Sequence, residues 1–238
     1  MIETQRLRLE PLVVSHAEEM FGVLSDERIY TYLPTDPPAS LDALRESYEF
    51  LAKGESPDGR ERWLNWILIS RAEERALGFF QATVREPESC NIAYILNPRQ
   101  QGMGHAREAS LALISHLFDT YDIPAVEAFI DTRNEPSIRL VRALGLVRAR
   151  SIHGADEFKG ARSDEFVYRV AREDWRPDPA QRPRHYRQRP RHYRQRPRHY
   201  RHRLRHYRQR PRRYRRRPRH CRQRPRPHRR PEFRRRSR

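Results

Sequence analysis

Cysteine and glycine are scarce in this 238-residue chain, at two and nine residues, and long apolar runs are missing altogether. No segment approaches the roughly 20 apolar residues that a membrane span needs. Cys90 and Cys221 lie in different parts of the chain, so no disulfide framework is indicated, which fits a reducing cytoplasm. Residues 1–7 lack the apolar stretch of a signal peptide. The expectation from these absences is a cytoplasmic protein that does not enter a membrane.

Acid is also missing from the last quarter. Residues 179–238 hold 28 arginines and a single acidic residue, Glu232. The whole chain has 50 Lys+Arg and 31 Asp+Glu, so residues 1–178 keep 22 and 30 of them, a net charge of −8. The overall +19 and the pI near 11 therefore come from the tail, and basicity gives no reason to think that the rest binds nucleic acid. The tail repeats every seven residues, with Tyr186, Tyr193, Tyr200, Tyr207 and Tyr214 in register and Cys221 in the next slot. Proline in most units and few large apolar residues exclude a coiled coil. Dense like charge with proline predicts a disordered, partly polyproline segment. The division expected is a folded domain at 1–177 and a basic heptapeptide-repeat tail at 178–238.

Within the folded part, hydrophobic period separates strands from helices. Residues 6–11 alternate as a strand. Ser15 followed by Glu18 reads as a capping box opening a helix with Ala17, Met20, Phe21 and Leu24 on one face. Residues 26–33 suggest a short second helix, and Ser40 caps a third that carries Leu41, Leu44, Tyr48 and Leu51. Residues 63–69, 77–84 and 91–96 read as an antiparallel meander. A helix at 106–121, a strand at 126–130, and a helix opened by Asn134-Glu135-Pro136 and closed by Gly145 come next. Strands at 146–151 and 166–170, joined by a polar loop, finish the domain. This order predicts an α+β fold around one mixed central sheet flanked by helices.

Two of the few glycines fall together in Arg99-Gln100-Gln101-Gly102-Met103-Gly104-His105-Ala106, between a strand and a helix. Glycines there let backbone N–H groups close on an anion, and the helix start adds unsatisfied donors and the positive end of its dipole. The turn is a phosphate cradle.

Four segments in order carry a resemblance. Glu3-Thr4-Gln5-Arg6-Leu7-Arg8-Leu9, Gly78-Phe79-Phe80, Arg99-x-x-Gly102-x-Gly104 and Asn134-x-x-Ser137-x-x-Leu140-x-x-x-Leu144-Gly145 together resemble the GNAT superfamily of N-acetyltransferases. The subgroup resembled includes the ribosomal-protein alanine acetyltransferases. The resemblance implies acetyl-CoA as co-substrate, a primary amine as acceptor (a protein N-terminus or a small amine) and no metal. It implies that the N–H groups of Gln101, Gly102, Met103, Gly104, His105 and Ala106, with Arg99 beside them, bind the pyrophosphate. The strand ending at Ile95 and Leu96 would splay from the strand at 126–130 to admit the pantetheine arm. Asn134 would hold that arm, the Leu96 N–H would stabilise the oxyanion, and Ser137 would protonate the leaving thiolate.

The attacking amine must lose a proton. Relatives often carry an acid near the position of Asn91, which cannot serve; Glu88, with Glu86 on the other side of Pro87, is the candidate base in this chain, and solvent is the alternative. Tyr94 and Cys90 read as packing residues, and His105 as a phosphate-turn residue. A second functional reading rests on the tail: arginines interleaved with tyrosines suit a nucleic acid or a ribosome surface, with the domain a weak CoA binder. The acceptor and the oligomeric state are not written in the sequence.

Overall fold

The computed structural model describes residues 1–177, and the repeat tail lies outside the described residues. The strands are β1 (Ile2–Glu3), β2 (Leu7–Pro11), β3 (Arg62–Ser70), β4 (Arg75–Arg85), β5 (Ser89–Leu96), β6 (Ala125–Asp131), β7 (Val147–Phe158) and β8 (Ala161–Ala171). The helices are α1 (Ala17–Leu24), α2 (Leu41–Leu51), α3 (His105–Thr120) and α4 (Glu135–Ala143). All eight strands form one sheet in the order β1-β2-β3-β4-β5-β6-β8-β7. Every neighbouring pair is antiparallel except β5 and β6. The α+β architecture and the β3–β4–β5 meander are as the sequence implied.

Each face of the sheet buries its own apolar layer. On one face Ala109, Leu113 and Leu117 of α3 and Ile138 and Val141 of α4 pack on Leu68, Phe80, Ile92, Val126 and Tyr168. On the other, Ala17, Met20 and Leu24 of α1 and Leu44 and Tyr48 of α2 cover Ile67 and Ile69, with Phe79 and Ile95 against them. Alternation along β4 sends Phe79 to one layer and Phe80 to the other.

Ser40 does cap α2, accepting from the Ala43 N–H at 3.1 Å. Ser15 caps nothing. It lies inside a 3-10 turn at Val14–His16 that runs straight into α1, where the Val13 N–H donates to His16 Nδ1 at 3.2 Å. Glu18 pairs with Arg45 at 2.8 Å and Glu19 accepts from the Ala76 N–H at 2.6 Å, so both acids of the first turn tie α1 to its neighbours. The short second helix is a 3-10 helix, Glu27–Tyr32, capped by Asp26.

The polar loop expected after residue 151 is a long hairpin. β7 and β8 continue to Phe158 and Ala161 across a turn in which Lys159 and Gly160 both have positive φ, 52° and 75°. Two positive φ values in a two-residue turn match the right-handed twist of the strands. The alternation that would have announced these strands is absent because β7 is an edge strand with few buried residues.

Candidate active site

The decisive feature lies where β5 meets β6. The parallel ladder between them holds only Cys90↔Val126 and Asn91↔Glu127, at the first residues of each strand. Beyond these pairs β5 stays on β4 as far as Gly78↔Leu96, and β6 stays on β8 as far as Asp131↔Glu165. The two strands therefore diverge towards their C-terminal ends, leaving a gap lined by backbone groups with no ladder partner.

Gly78 explains which way β5 bends. A Cβ there would lie 2.2 Å from the Ile95 carbonyl oxygen and 3.0 Å from Leu96 Cα. Only glycine lets the end of β5 lean this closely on β4, and a register irregularity between Leu68 and Ile69 bends β4 at the same level. The Asn97 N–H reaches the Leu77 carbonyl at 2.8 Å. Since successive residues of a strand turn their N–H groups to opposite sides, the Leu96 N–H points away from β4 and towards the gap.

The chain then makes a 3-10 turn, Pro98–Gln100, whose start is capped by Asn97 accepting from the Arg99 N–H at 3.0 Å. Gln101 returns its side-chain amide to the Leu96 carbonyl at 3.3 Å. Gly102 and Gly104 adopt φ of 78° and 80°, a conformation that side-chain-bearing residues rarely take. Gly104 is the N-cap of α3, and no side chain caps the helix. Among the described residues no side chain takes this capping place, so the N–H groups of His105 and Ala106 are the donors that an external acceptor at the helix start would meet. Met103 stands exposed at the tip. Burial, and then the charge of Arg6, lower the pKa of His105 at the helix start, which favours its neutral imidazole. Arg99 is exposed at the rim, close enough to Asp26 to help hold that carboxyl down to about 2, an effect due mainly to Arg28.

β6 delivers the second half of the site. Its last residue, Asp131, is buried and accepts from Arg133 N (2.8 Å), Nε (2.9 Å) and Nη2 (2.7 Å) and from Ser163 Oγ (2.6 Å). Burial alone would raise its pKa; the Arg133 fork and the Ser163 hydroxyl outweigh that and hold it at about 2. The Asp131 carbonyl also accepts from the Asn134 N–H at 2.9 Å, so this carboxylate and its peptide fix the turn into α4. Asn134 caps α4 through Oδ1, which accepts from the Ser137 N–H at 3.2 Å, and its side-chain NH₂ keeps both protons for another partner. Because β5 and β6 are parallel, Leu96, the glycine loop, Asn134 and Ser137 all stand at one end of the sheet, where parallel strands place ligands.

Glu88 precedes β5, at the opposite end of that strand from Leu96, and eight residues at roughly 3.3 Å each separate the two. Glu86 is committed elsewhere, accepting from the Asp122 N–H at 2.8 Å. Neither carboxylate is brought to the gap. Cys90 is buried and its thiol is pushed up to about 12 by that burial, as suits an inert packing residue.

Tyr94 packs against the core, as its place in the strand implies. It stacks on Phe80 with ring centroids 5.6 Å apart, but its hydroxyl is buried without a hydrogen bond of good geometry. Burial raises the phenol's pKa, with the Ser137 hydroxyl near enough to pull the other way.

The β7–β8 hairpin closes the other side. Lys159 at its tip donates to the Tyr30 carbonyl of the 3-10 helix, Arg133 lies 5.8 Å from the Phe158 ring centre, and Arg133 is also close to Tyr32. A cleft of about 370 Å³ lined by Thr132, Arg133, His153, Gly154, Arg162 and Asp164 borders the turn that carries Asn134. Among the described residues, no three His, Cys, Asp or Glu side chains converge as a metal site would require.

The acetyltransferase (GNAT) domain family matches residues 6–147, more than half of the chain. The chain belongs to the GNAT acetyltransferase family. This GNAT chain is 22% identical over 172 residues to an uncharacterized N-acetyltransferase p20 of Bacillus licheniformis, covering 72% of this chain and 96% of that protein. It shares its fold with a ribosomal-protein-S5-alanine acetyltransferase of Vibrio fischeri, at a TM-score of 0.64 and 19% identity, over 74% of this chain and 98% of the other. A spermidine N-acetyltransferase of Vibrio cholerae solved with CoA and spermine gives a TM-score of 0.61 at 18% identity, over 71% and 98%. This GNAT domain is accordingly an acetyl-CoA-dependent acyltransferase. The open glycine loop and the unpaired β5–β6 gap are the features that suit a thioester with a diphosphate at one end. No described helix is long and apolar enough to cross a membrane.

Proposed function

We propose that this enzyme acetylates a primary amine, either the N-terminal amine of a protein or a small amine, received on the side where the tip of the β7–β8 hairpin meets the 3-10 helix at Glu27–Tyr32. The observation that carries the reading is the divergence of β5 from β6 beneath the glycine loop. Backbone N–H groups from Gln101 to Ala106, with Arg99 at the rim, take the diphosphate. The pantetheine arm occupies the gap, with the Asn134 amide donating to it.

The amine attacks the thioester carbon, and the oxyanion that develops receives the Leu96 N–H. Collapse of that adduct breaks the carbon–sulfur bond, and the Ser137 hydroxyl gives its proton to the sulfur and recovers one from solvent. The amine loses its own proton to water at the mouth of the cleft, which the remoteness of Glu88 and the engagement of Glu86 support. Holding both reactants in line removes much of the entropic barrier, so few side chains need to act chemically.

Likeness in fold to both a protein-acetylating and a polyamine-acetylating enzyme leaves both acceptor classes in the proposal. The test is a screen of peptide N-termini, monoamines and polyamines with release of free CoA as readout. Steady turnover with one class establishes it; no release above the acceptor-free rate with any amine overturns the reading.

A further inference from the structure

Thr4 and Arg6, in the first of the four motif segments but with no role assigned above, join the N-terminal hairpin to the glycine loop. Glu108, in the first turn of α3, accepts from Thr4 Oγ1 at 2.6 Å, the Arg6 N–H at 2.9 Å and Arg6 Nε at 2.7 Å. The same Arg6 guanidinium donates through Nη1 to the Met103 carbonyl at 3.0 Å. Its Nη2 has no hydrogen-bond partner among the described residues and lies 3.4 Å from where a Cβ on Gly104 would stand. The Arg6 side chain is 47% exposed, whereas that of Glu108 is 16% exposed.

We infer that Arg6 is a further ligand and positioning residue of the diphosphate site, reaching the glycine loop from β2's own entry turn. The inference rests on the proposed binding of the diphosphate by residues 101–106. A carboxylate in the first turn of a helix is favoured by the helix dipole, yet it repels an anion arriving at the same end. Arg6 cancels that charge through its ion pair. Its bond to the Met103 carbonyl ties up the acceptor end of a peptide whose neighbours must show donors to the ligand. What remains is one unused N–H edge of the guanidinium at the mouth of the cradle. A staple that only fastened β2 to α3 would need the Nε and backbone bonds to Glu108, and would have no use for the Met103 bond or for a half-exposed edge beside Gly104.

The experiment compares the full-length chain with Arg6→Gln, Arg6→Lys and Gly104→Trp by calorimetric titration with CoA and with pantetheine, which lacks the diphosphate, across a range of salt. Loss of a hydrogen bond to a charged group is worth roughly tenfold or more in affinity. Arg6→Gln is expected to weaken CoA by about that factor, to leave pantetheine unchanged and to flatten the salt dependence of CoA binding. Arg6→Lys keeps the charge and so the wild-type salt dependence, which a purely structural staple would not predict. If Arg6→Gln does not fold, the lysine variant decides the matter alone, because a flattened salt dependence in it overturns the inference. Wild-type CoA affinity in Arg6→Gln, or an equal loss for pantetheine, also overturns it. Gly104→Trp separates the two levels: unchanged CoA affinity there sinks the loop reading, whereas loss there with none in Arg6→Gln sinks only the role of Arg6.

Discussion

A methyl group at Gly78 would stand 2.2 Å from the Ile95 carbonyl, so Gly78→Ala must push β5 off β4 or bend it back. Overpacking of this kind costs roughly 1–3 kcal/mol. The expected result is a destabilised protein whose affinity for CoA falls further than its melting temperature would suggest, measurable by titration and thermal unfolding on the same sample. At the other half of the site, Asp131 has a folded-state pKa near 2 against about 3.9 when unfolded. A depressed carboxylate stabilises the fold above its unfolded value and loses that stabilisation as pH falls through the folded one. Asp131→Asn should therefore cost roughly 2 kcal/mol at neutral pH and little near pH 2, and denaturant unfolding between those limits should show the difference closing. Ser137→Ala should lower kcat by roughly a hundredfold with little change in KM if the hydroxyl protonates the thiolate. With water as the proton acceptor, the pH–rate profile should follow the amine's own pKa and move when the acceptor is changed. A midpoint that stays put across acceptors would point to a titrating group of the enzyme.

At the scale of elements, β5–β6 and β7–β8 divide the labour. The first pair is defined by what it does not bond, and the second by how far it reaches. Lys159 at the hairpin tip holds the Tyr30 carbonyl, joining the last hairpin to the segment after α1. If the acceptor is received beside this contact, as proposed, Lys159→Ala should leave CoA affinity unchanged and raise KM for the acceptor severalfold, since Lys159 touches nothing at the glycine loop. Sequence period located the β3–β4–β5 meander, α2, α3, β6 and α4 because each has one buried face. It stopped short on β7, whose exposed residues show no alternation, and it mistook Ser15 for a cap because a 3-10 turn enters α1 from Val14. The glycine loop and the Asn134 turn were legible for a stronger reason: positive φ and side-chain capping demand particular residues at particular places.

For the molecule as a whole, the charge is split between a domain of net −8 and a tail that supplies the rest. The reading of the tail as disordered, or as an arm for a nucleic acid or ribosome, lies outside the described residues. If the cradle's attraction for phosphate comes from local N–H groups and arginines, as proposed, a chain ending at residue 177 should turn over acetyl-CoA with KM close to that of the full chain. A large rise in KM on truncation, vanishing at high salt, would show instead that the tail's field draws the anion in.

The sequence by itself determined the chemistry that depends on local backbone: a glycine turn opening a helix, an asparagine capping the next, and enough of both in order to place the chain among the GNAT enzymes. It also determined that the folded part is acidic. Only the tertiary structure decided what depends on residues far apart in the chain: that Gly78 bends β5 away from β6, that Glu88 stands at the wrong end of its strand, that Tyr94 turns a hydroxyl towards Ser137, and that Arg6 crosses to the glycine loop through Glu108. Strand order and register set those distances, and neither is written in any local run of residues.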